Sequence, residues 1–168
     1  MPLSSLFLNE NSRNASLMKI KRDYGIFQVA LKVLLQKGDK ILFLRDSDAD
    51  RHWDWPGGRI DNVEYRTPIE KIIAREVREE LGQKVRYVLG KPHFHLRRWT
   101  LWNGKKTCVF CVFYEAKWMS GEIRLSAEHS AYEWIDTKRF HTLKRVDFKH
   151  AEEYPALKKY FAVAEEKR

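Results

Sequence analysis

Residues 57–82 read GGRIDNVEYRTPIEKIIAREVREELG, and this stretch decides the fold. A short apolar run before it ends at the glycine pair, which indicates a turn. The second half predicts a helix with Pro68 at its first position and Gly82 as its stop. Thr67 and Glu70 have the spacing of a capping box at the start of that helix. The sequence therefore predicts a loop that leads directly into an amphipathic helix.

One face of this helix combines apolar side chains with carboxylates. At about 100° per residue, that face carries Ile69, Ile72, Ile73, Glu76, Glu79 and Glu80. A solvated charged face, the usual alternative, should lie opposite the isoleucines. These glutamates instead turn towards the protein, where they repel one another unless a cation lies among them. The pattern favours a divalent metal site.

The same stretch resembles the Nudix box, a glycine, a spaced glutamate and then Arg-Glu-(apolar)-x-Glu-Glu-x-Gly. Gly58 stands for the glycine, Glu64 for the spaced glutamate, and residues 75–82 (REVREELG) for the remainder. Two features depart from the family pattern: the segment between Glu64 and Arg75 is three residues longer, and Gln83 replaces an apolar residue. The resemblance implies an α/β fold, a Nudix-like α/β/α sandwich with a mixed β-sheet.

The resemblance also implies a reaction and its cofactor. Such enzymes cleave a nucleoside diphosphate linked to another moiety, by attack of water at phosphorus, with Mg²⁺ or Mn²⁺ as cofactor. The implied metal ligands are the Gly57 carbonyl, Glu76, Glu79 and Glu80. The implied catalytic residues are Glu64, Arg75, Glu79 and Glu128. Arg75 lies four residues before Glu79, so the two could pair across one helical turn and hold a carboxylate in position.

Glu128 lies in the segment Ser126–Trp134, which resembles an acidic loop of the family just before a strand. A base or an additional metal ligand is the implied role, and an ordinary surface acid is the alternative. His129 is the rival base, although we expect it on an exposed loop, where a histidine needs no function.

Substrate contacts are expected from Arg45, Arg59 and Trp53. Arg45 ends a predicted strand and Arg59 follows the glycine pair, and both positions resemble phosphate contacts of the family. A plain surface arginine is the alternative for each. Trp53 could stack on a base or sugar, whereas Trp55 is expected to pack in the core.

Composition limits the other functions. The chain has 168 residues, two cysteines and a net charge of +9. Its length predicts one domain (residues 26–168) after an N-terminal extension (residues 1–25). No apolar stretch reaches about 18 residues and no signal peptide is predicted. Few cysteines favour the cytoplasm. The charge favours polyanionic partners.

The remaining pattern predicts strands at 27–35, 41–45, 85–89 and 132–135, a helical turn at 139–143 and a terminal helix at 155–167. Residues 93–102 and 107–117 predict a hairpin around Asn103-Gly104, in which Trp99 faces Cys108 and Leu96 faces Cys111. Leu157, Phe161 and Ala164 should form the inner face of the terminal helix. Cys108 and Cys111 form a lone C-x-x-C. Strand residues three apart point to opposite faces, so buried cysteines are favoured over a zinc site.

Three functions stay open. The leading one is a pyrophosphohydrolase of a small nucleotide: a nucleoside triphosphate, nucleotide sugar or dinucleotide. The second is an RNA 5′-end pyrophosphohydrolase, although the scattered positive charges do not favour a specific nucleic-acid site. The third is a catalytically silent nucleotide-sensing domain, against which the intact carboxylate set argues. A homodimer is compatible with the sequence.

Overall fold

A computed structural model describes residues 24–166, with side chains through residue 162. Six strands and two α-helices follow one another in this range. The strands are β1 (Gln28–Lys37), β2 (Lys40–Asp46), β3 (Trp53–Asp54), β4 (Arg86–Trp102), β5 (Lys105–Ser120) and β6 (His129–Asp136). The helices are α1 (Ile69–Leu81), between β3 and β4, and α2 (Glu153–Glu166), after β6. The predicted N-terminal extension lies almost wholly outside the described residues, as does the side chain of Ala164.

The strands form one mixed sheet in the order β3-β2-β1-β5-β4, and β6 pairs with β2. The β1–β5 pair is parallel, whereas the β1–β2, β2–β3, β2–β6 and β4–β5 pairs are antiparallel. In the hairpin, Trp99 lies opposite Cys108 and Leu96 opposite Cys111, which confirms the predicted register. The predicted strand at 85–89 is the first part of the long strand β4, which is irregular around Pro92.

Side chains that alternate along β1 build a core on each face of the sheet. Leu31, Val33 and Leu35 pack with α1, through Ile72, Ile73, Val77 and Leu81. Ala30 and Leu34 belong to the opposite core, which contains Leu157 and Phe161 of α2. Trp55 is completely buried in that second core, as predicted. The sheet lies between two helices, so the predicted α/β/α sandwich is confirmed.

The predicted capping box of α1 is wrong. Pro68 adopts an extended ψ of 139° and is itself the N-cap, without a side-chain hydrogen bond, so the helix begins at Ile69. A capping box instead closes the short 3₁₀ helix Asn62–Glu64. There the Asp61 side chain accepts a hydrogen bond from Val63 N, and the Glu64 side chain accepts one from Asp61 N. This capping box therefore sets the conformation of the loop before α1 and holds the Glu64 side chain in place.

The first residue of α2 is a buried acid with a strongly perturbed pKa. Glu153 is 6% exposed, and its nearest cationic partner is Arg98, with Nε 3.7 Å from a carboxylate oxygen. Burial, followed by repulsion from Asp54, raises the Glu153 pKa from 4.5 to about 7. Between pH 4.5 and about 7, Glu153 is therefore protonated in the folded protein and ionised in the unfolded chain.

We expect the free energy of unfolding to decrease as the pH rises from about 4.5 to about 7, because the folded state binds more protons than the unfolded state in this window. The contribution of Glu153 is on the order of 3 kcal/mol. Urea denaturation at pH 5 and pH 7 measures it in wild type and in Glu153→Gln, which should show a smaller decrease. An identical decrease in both proteins would contradict this assignment.

Candidate active site

The glycine segment lies against β1 and forms one wall of a large cleft. Leu31 N donates to the Gly58 carbonyl, Val33 N to the Pro56 carbonyl, and Ile60 N to the Val29 carbonyl. Gly57 has a φ of +120°, and a Cβ atom there would collide with the Leu31 carbonyl oxygen. A Cβ atom on Gly58 would collide with the Glu76 carboxylate. Both glycines are required for this close approach of loop, strand and helix.

The carboxylates of α1 open into a cleft of about 1670 Å³. Glu80 is 6% exposed, the Glu76 side chain is 12% exposed, and the Glu79 side chain is 54% exposed. Gly57 N donates to Glu80 Oε2 at 2.7 Å, which fixes that carboxylate against the loop. Burial raises the pKa of Glu76, although Arg75 opposes the shift. The stripe predicted from the sequence therefore faces the cleft.

Arg75 connects three of the carboxylates. Its Nε and Nη2 donate to the two oxygens of Glu64 at 2.7 and 3.0 Å. Nη1 donates to Glu79 at 2.9 Å, the predicted pair across one turn, and Nη2 donates to Glu76 at 2.9 Å. The hydrogen bonds that Arg75 donates to Glu64, together with the charge of Glu76 and the hydrogen bond to Glu79, raise the Arg75 pKa. The loop between Glu64 and α1 is longer than in the family pattern, but it still places the Glu64 carboxylate beside the helix, where it pairs with Arg75.

Lys32 supplies a buried cation that the sequence analysis missed. It is 6% exposed, and its Nζ lies 2.7 Å from Asp54 Oδ2 and 2.7 Å from the Gly57 carbonyl oxygen. Burial acts to lower the Lys32 pKa, but Asp54 and Glu80 outweigh it, so the pKa is raised. The Gly57 carbonyl, a predicted metal ligand, therefore already accepts a hydrogen bond from a cation and would have to share its second lone pair.

We expect Lys32→Met to destabilise the protein by about 2–3 kcal/mol, because the Asp54 carboxylate, whose side chain is 26% exposed, would lose its counter-charge and the Gly57 carbonyl its donor. Urea denaturation at pH 7 measures the loss. The double variant Lys32→Met/Asp54→Asn should recover much of it, since the orphan charge is gone. If the free energy of unfolding of Lys32→Met is within about 1 kcal/mol of the wild-type value, as expected for an exposed ion pair, the Lys32–Asp54 pair does not stabilise the fold in this way.

The end of β2 and the start of β6 complete the cleft. Glu128 is exposed and lines it, as the resemblance implied. The expectation of an exposed His129 is wrong, because this side chain is only 4% exposed and its Nε2 lies 3.5 Å from Glu80 Oε1. Glu80, Glu128 and His129 each present a possible ligand atom, and these atoms lie within 4.8 Å of one another.

The predicted substrate residues divide into two groups. Arg59 lines the cleft, and its guanidinium carbon lies 4.4 Å from the ring centroid of Trp102. Trp53 is 4% exposed and lies under Arg45, whose guanidinium carbon is 3.5 Å from the ring centroid. The stacking role expected of Trp53 is corrected, because its ring lacks an open face. Arg45 instead covers that ring and donates to the Arg51 carbonyl.

Trp102 is an exposed aromatic residue of the cleft that the sequence analysis missed. It ends β4, is 49% exposed and lines the cleft beside Arg59. The usable signal was its place at the tip of the predicted hairpin. The structure brings that tip to the cleft because β5 pairs in parallel with β1, with Val109 opposite Gln28, so the turn lies beyond the start of β1 and near the loop that carries Arg59. Cys108 and Cys111 are both free, and Arg98 Nε lies 3.4 Å from the buried Cys111 sulfur.

A mixed sheet between two helices, with a glycine loop and a carboxylate helix at one cleft, defines the class of Nudix-fold proteins. The family model described as NUDIX domain matches residues 27–157. The chain therefore belongs to the Nudix family.

Characterised relatives and solved structures are similar to this chain. It is 33% identical over 96 residues to the asymmetrical bis(5′-nucleosyl)-tetraphosphatase of Mus musculus, an alignment that covers 57% of this chain and 63% of the relative. The enzyme of the same name from Rattus norvegicus is 32% identical over 96 residues, again 57% of this chain and 63% of the relative. The chain therefore spans less than two thirds of the length of these relatives.

Among solved structures, a MutT protein from Methanosarcina mazei superposes with a TM-score of 0.61 at 21% identity, covering 86% of this chain and 99% of that one. An Ap4A hydrolase from C. elegans superposes with a TM-score of 0.56 at 20% identity, covering 84% and 99%. At these identities the likeness shows the fold. Within residues 24–166, no helix has the length and apolar character of a membrane span.

Proposed function

We propose that the chain is a divalent-metal-dependent pyrophosphohydrolase that cleaves the pyrophosphate linkage of a nucleoside diphosphate derivative. The observation that carries this proposal is the convergence of Glu76, Glu80 and Glu128 on one cleft beside the glycine loop. Family membership and the names of the two tetraphosphatase relatives support it.

The donor set fits a hard divalent cation such as Mg²⁺ or Mn²⁺. Carboxylate oxygens are the ligands that these ions prefer, and Glu80 Oε1, the oxygen that does not accept from Gly57 N, lies beside Glu128 and His129. Glu76 and Glu80 would hold the metal, with Glu79, Glu128 and the Gly57 carbonyl as further ligands. When bound, the metal would bind pyrophosphate oxygens, lower the pKa of a bound water and stabilise the developing negative charge.

The chain itself positions these groups and moves the proton. Arg75, with Glu64 as its anchor, holds Glu76 and Glu79 at fixed distances, so it is a positioning residue. Glu128, exposed at the cleft, would bind the metal through one carboxylate oxygen and accept a proton from the attacking water with the other, as general base. Arg59, which also lines the cleft, would bind a substrate phosphate.

The cleft and the relatives favour a long substrate. Its volume of about 1670 Å³ exceeds the roughly 300–1,000 Å³ of typical small-molecule pockets. The characterised relatives are named for bis(5′-nucleosyl) tetraphosphates, which have a nucleoside at each end. We therefore propose dinucleoside polyphosphates as the first substrates to test, before nucleotide sugars and nucleoside triphosphates. A cytoplasmic location and a homodimer stay predictions.

A substrate panel tests the proposal. The wild-type chain is incubated with diadenosine tetraphosphate, ADP-ribose, ATP, a 5′-triphosphorylated RNA and a phosphomonoester, with Mg²⁺, with Mn²⁺ or with EDTA. We expect metal-dependent cleavage of a pyrophosphate linkage in a small nucleotide and none of the monoester. Faster cleavage of the RNA would make the RNA-end activity the better assignment. No cleavage with either metal would favour the silent sensing domain.

Trp102 is expected to hold one nucleoside through base stacking. Such stacking contributes about 1–3 kcal/mol per base, so Trp102→Ala should raise KM by about 5- to 150-fold while kcat changes little. Trp99→Ala is the matched control, because Trp99 is 52% exposed on the same strand but lies outside the cleft lining. Equal KM values for wild type and Trp102→Ala would place the base elsewhere.

A further inference from the structure

His129 is a buried histidine without a hydrogen-bond partner. The residue is 7% exposed, and neither of its ring nitrogens has such a partner among the described residues. A buried polar group in this state costs stability, and native proteins nearly always pair it. The position of His129 in the cleft suggests that a ligand completes the pairing.

Each ring nitrogen of His129 faces a different carboxylate. Nε2 lies 3.5 Å from Glu80 Oε1, the oxygen that does not bind Gly57 N. Nδ1 lies on the side of Asp46, whose Oδ1 is 3.9 Å away. In a metal-bound histidine, one nitrogen binds the ion and the other donates its N–H to a carboxylate that orients the ring. Asp46 lies on the Nδ1 side for that second role, although 3.9 Å is too long for a hydrogen bond.

The spacing of the donor atoms also suits one ion. Two ligands each about 2.1 Å from a metal are separated by about 3.0 Å at 90° and about 3.4 Å at a tetrahedral angle. The observed Nε2–Oε1 distance of 3.5 Å is close to that range, and it lacks hydrogen-bond geometry. Glu128 presents its carboxylate within 4.8 Å of both groups.

We propose that His129 Nε2 is a nitrogen ligand of the divalent metal, together with Glu80 and Glu128, and that Asp46 orients its ring. Imidazole suits transition metals, whereas Mg²⁺ is bound mainly by oxygen. The site therefore binds Mn²⁺ and related transition-metal ions in preference to Mg²⁺. This inference rests on the proposed function, since it needs a metal in the same cleft.

Pulsed electron paramagnetic resonance on the full chain with Mn²⁺ tests the ligand directly, because a coordinated imidazole adds a ¹⁴N modulation to the signal. We expect this modulation in wild type and in the control His93→Gln, whose histidine lies on β4 outside the cleft lining. His129→Gln should lose the modulation and bind Mn²⁺ about 10-fold more weakly or worse, a typical loss at a metal site. Its Mg²⁺ affinity should change by less than about 3-fold, because Mg²⁺ prefers oxygen ligands.

Two results would overturn the inference in different ways. Bound Mn²⁺ that Glu80→Gln displaces, but that shows no ¹⁴N modulation in wild type, would exclude His129 as a ligand and leave the proposed function standing. Absence of any Mn²⁺ binding in the cleft would contradict both. Since the wild-type spectrum decides the presence of a nitrogen ligand, misfolding of His129→Gln does not affect that result, and His129→Asn gives a second variant.

Discussion

Glu80→Gln is expected to lower kcat by about 10³-fold or more, because a bound metal contributes several kcal/mol to the transition state and each 1.36 kcal/mol is tenfold in rate. The change removes one anionic ligand while the side-chain oxygen can still accept the hydrogen bond from Gly57 N. Steady-state turnover at saturating Mn²⁺ and Mg²⁺ measures the effect.

The fold should survive this substitution. Glu80 is repelled by Glu76 but attracted by Lys32 and His129, so a neutral amide removes interactions of both signs. We expect the metal-free variant to melt within a few degrees of metal-free wild type. Glu70→Gln is the matched control on the same helix, since Glu70 is exposed in the first turn, away from the cleft lining. A Glu80→Gln variant that keeps wild-type turnover, or full wild-type activity in EDTA, would contradict the assigned site.

Glu128→Gln is expected to lower kcat by about 10²–10⁴-fold, the usual contribution of a general base. KM should stay within a few-fold, because the carboxylate acts mainly in the transition state. Kinetics on the substrate found in the panel provide both constants. The control is Glu133→Gln, on β6 outside the cleft lining. Glu133→Gln should turn over like wild type, and turnover of Glu128→Gln within a few-fold of wild type would contradict the role of Glu128 as base.

The sequence was sufficient for features that depend on local geometry. Helical periodicity placed Glu76 and Glu80 on the face that meets the protein, and the Asn103-Gly104 turn predicted the Trp99–Cys108 register. The turn fixes which residues of a hairpin pair, and the helical period fixes which share a face, so neither needs information from distant parts of the chain.

Features that depend on distant contacts were missed. Lys32 is buried because Asp54 and the Gly57 carbonyl, more than twenty residues away, surround its ammonium group. The usable signal was a lysine inside the apolar run Val29–Leu35, which a buried strand tolerates only with a counter-charge. His129 and Trp102 are similar cases, because the pairing of β6 with β2 buries one and the position of β4 brings the other to the cleft.

The capping box of α1 was predicted wrongly for a different reason. The sequence analysis assigned the capping box to Thr67 and Glu70, and it did not consider Asp61 and Glu64, which have the same spacing. The structure uses this second pair, which places Glu64 beside Arg75. Two competing caps a few residues apart cannot be ranked without knowing which loop packs against the helix.

Hydrolysis in ¹⁸O-labelled water tests the central claim most directly, because the claim is that water attacks a phosphorus of a pyrophosphate linkage. The preferred substrate from the panel is hydrolysed with Mn²⁺, and ³¹P NMR and mass spectrometry locate the label. We predict one ¹⁸O atom in a phosphate group of one product, with none incorporated in EDTA and about 10³-fold slower incorporation by Glu80→Gln. Cleavage that leaves every product phosphate unlabelled, or labelling that proceeds equally in EDTA, would contradict the account.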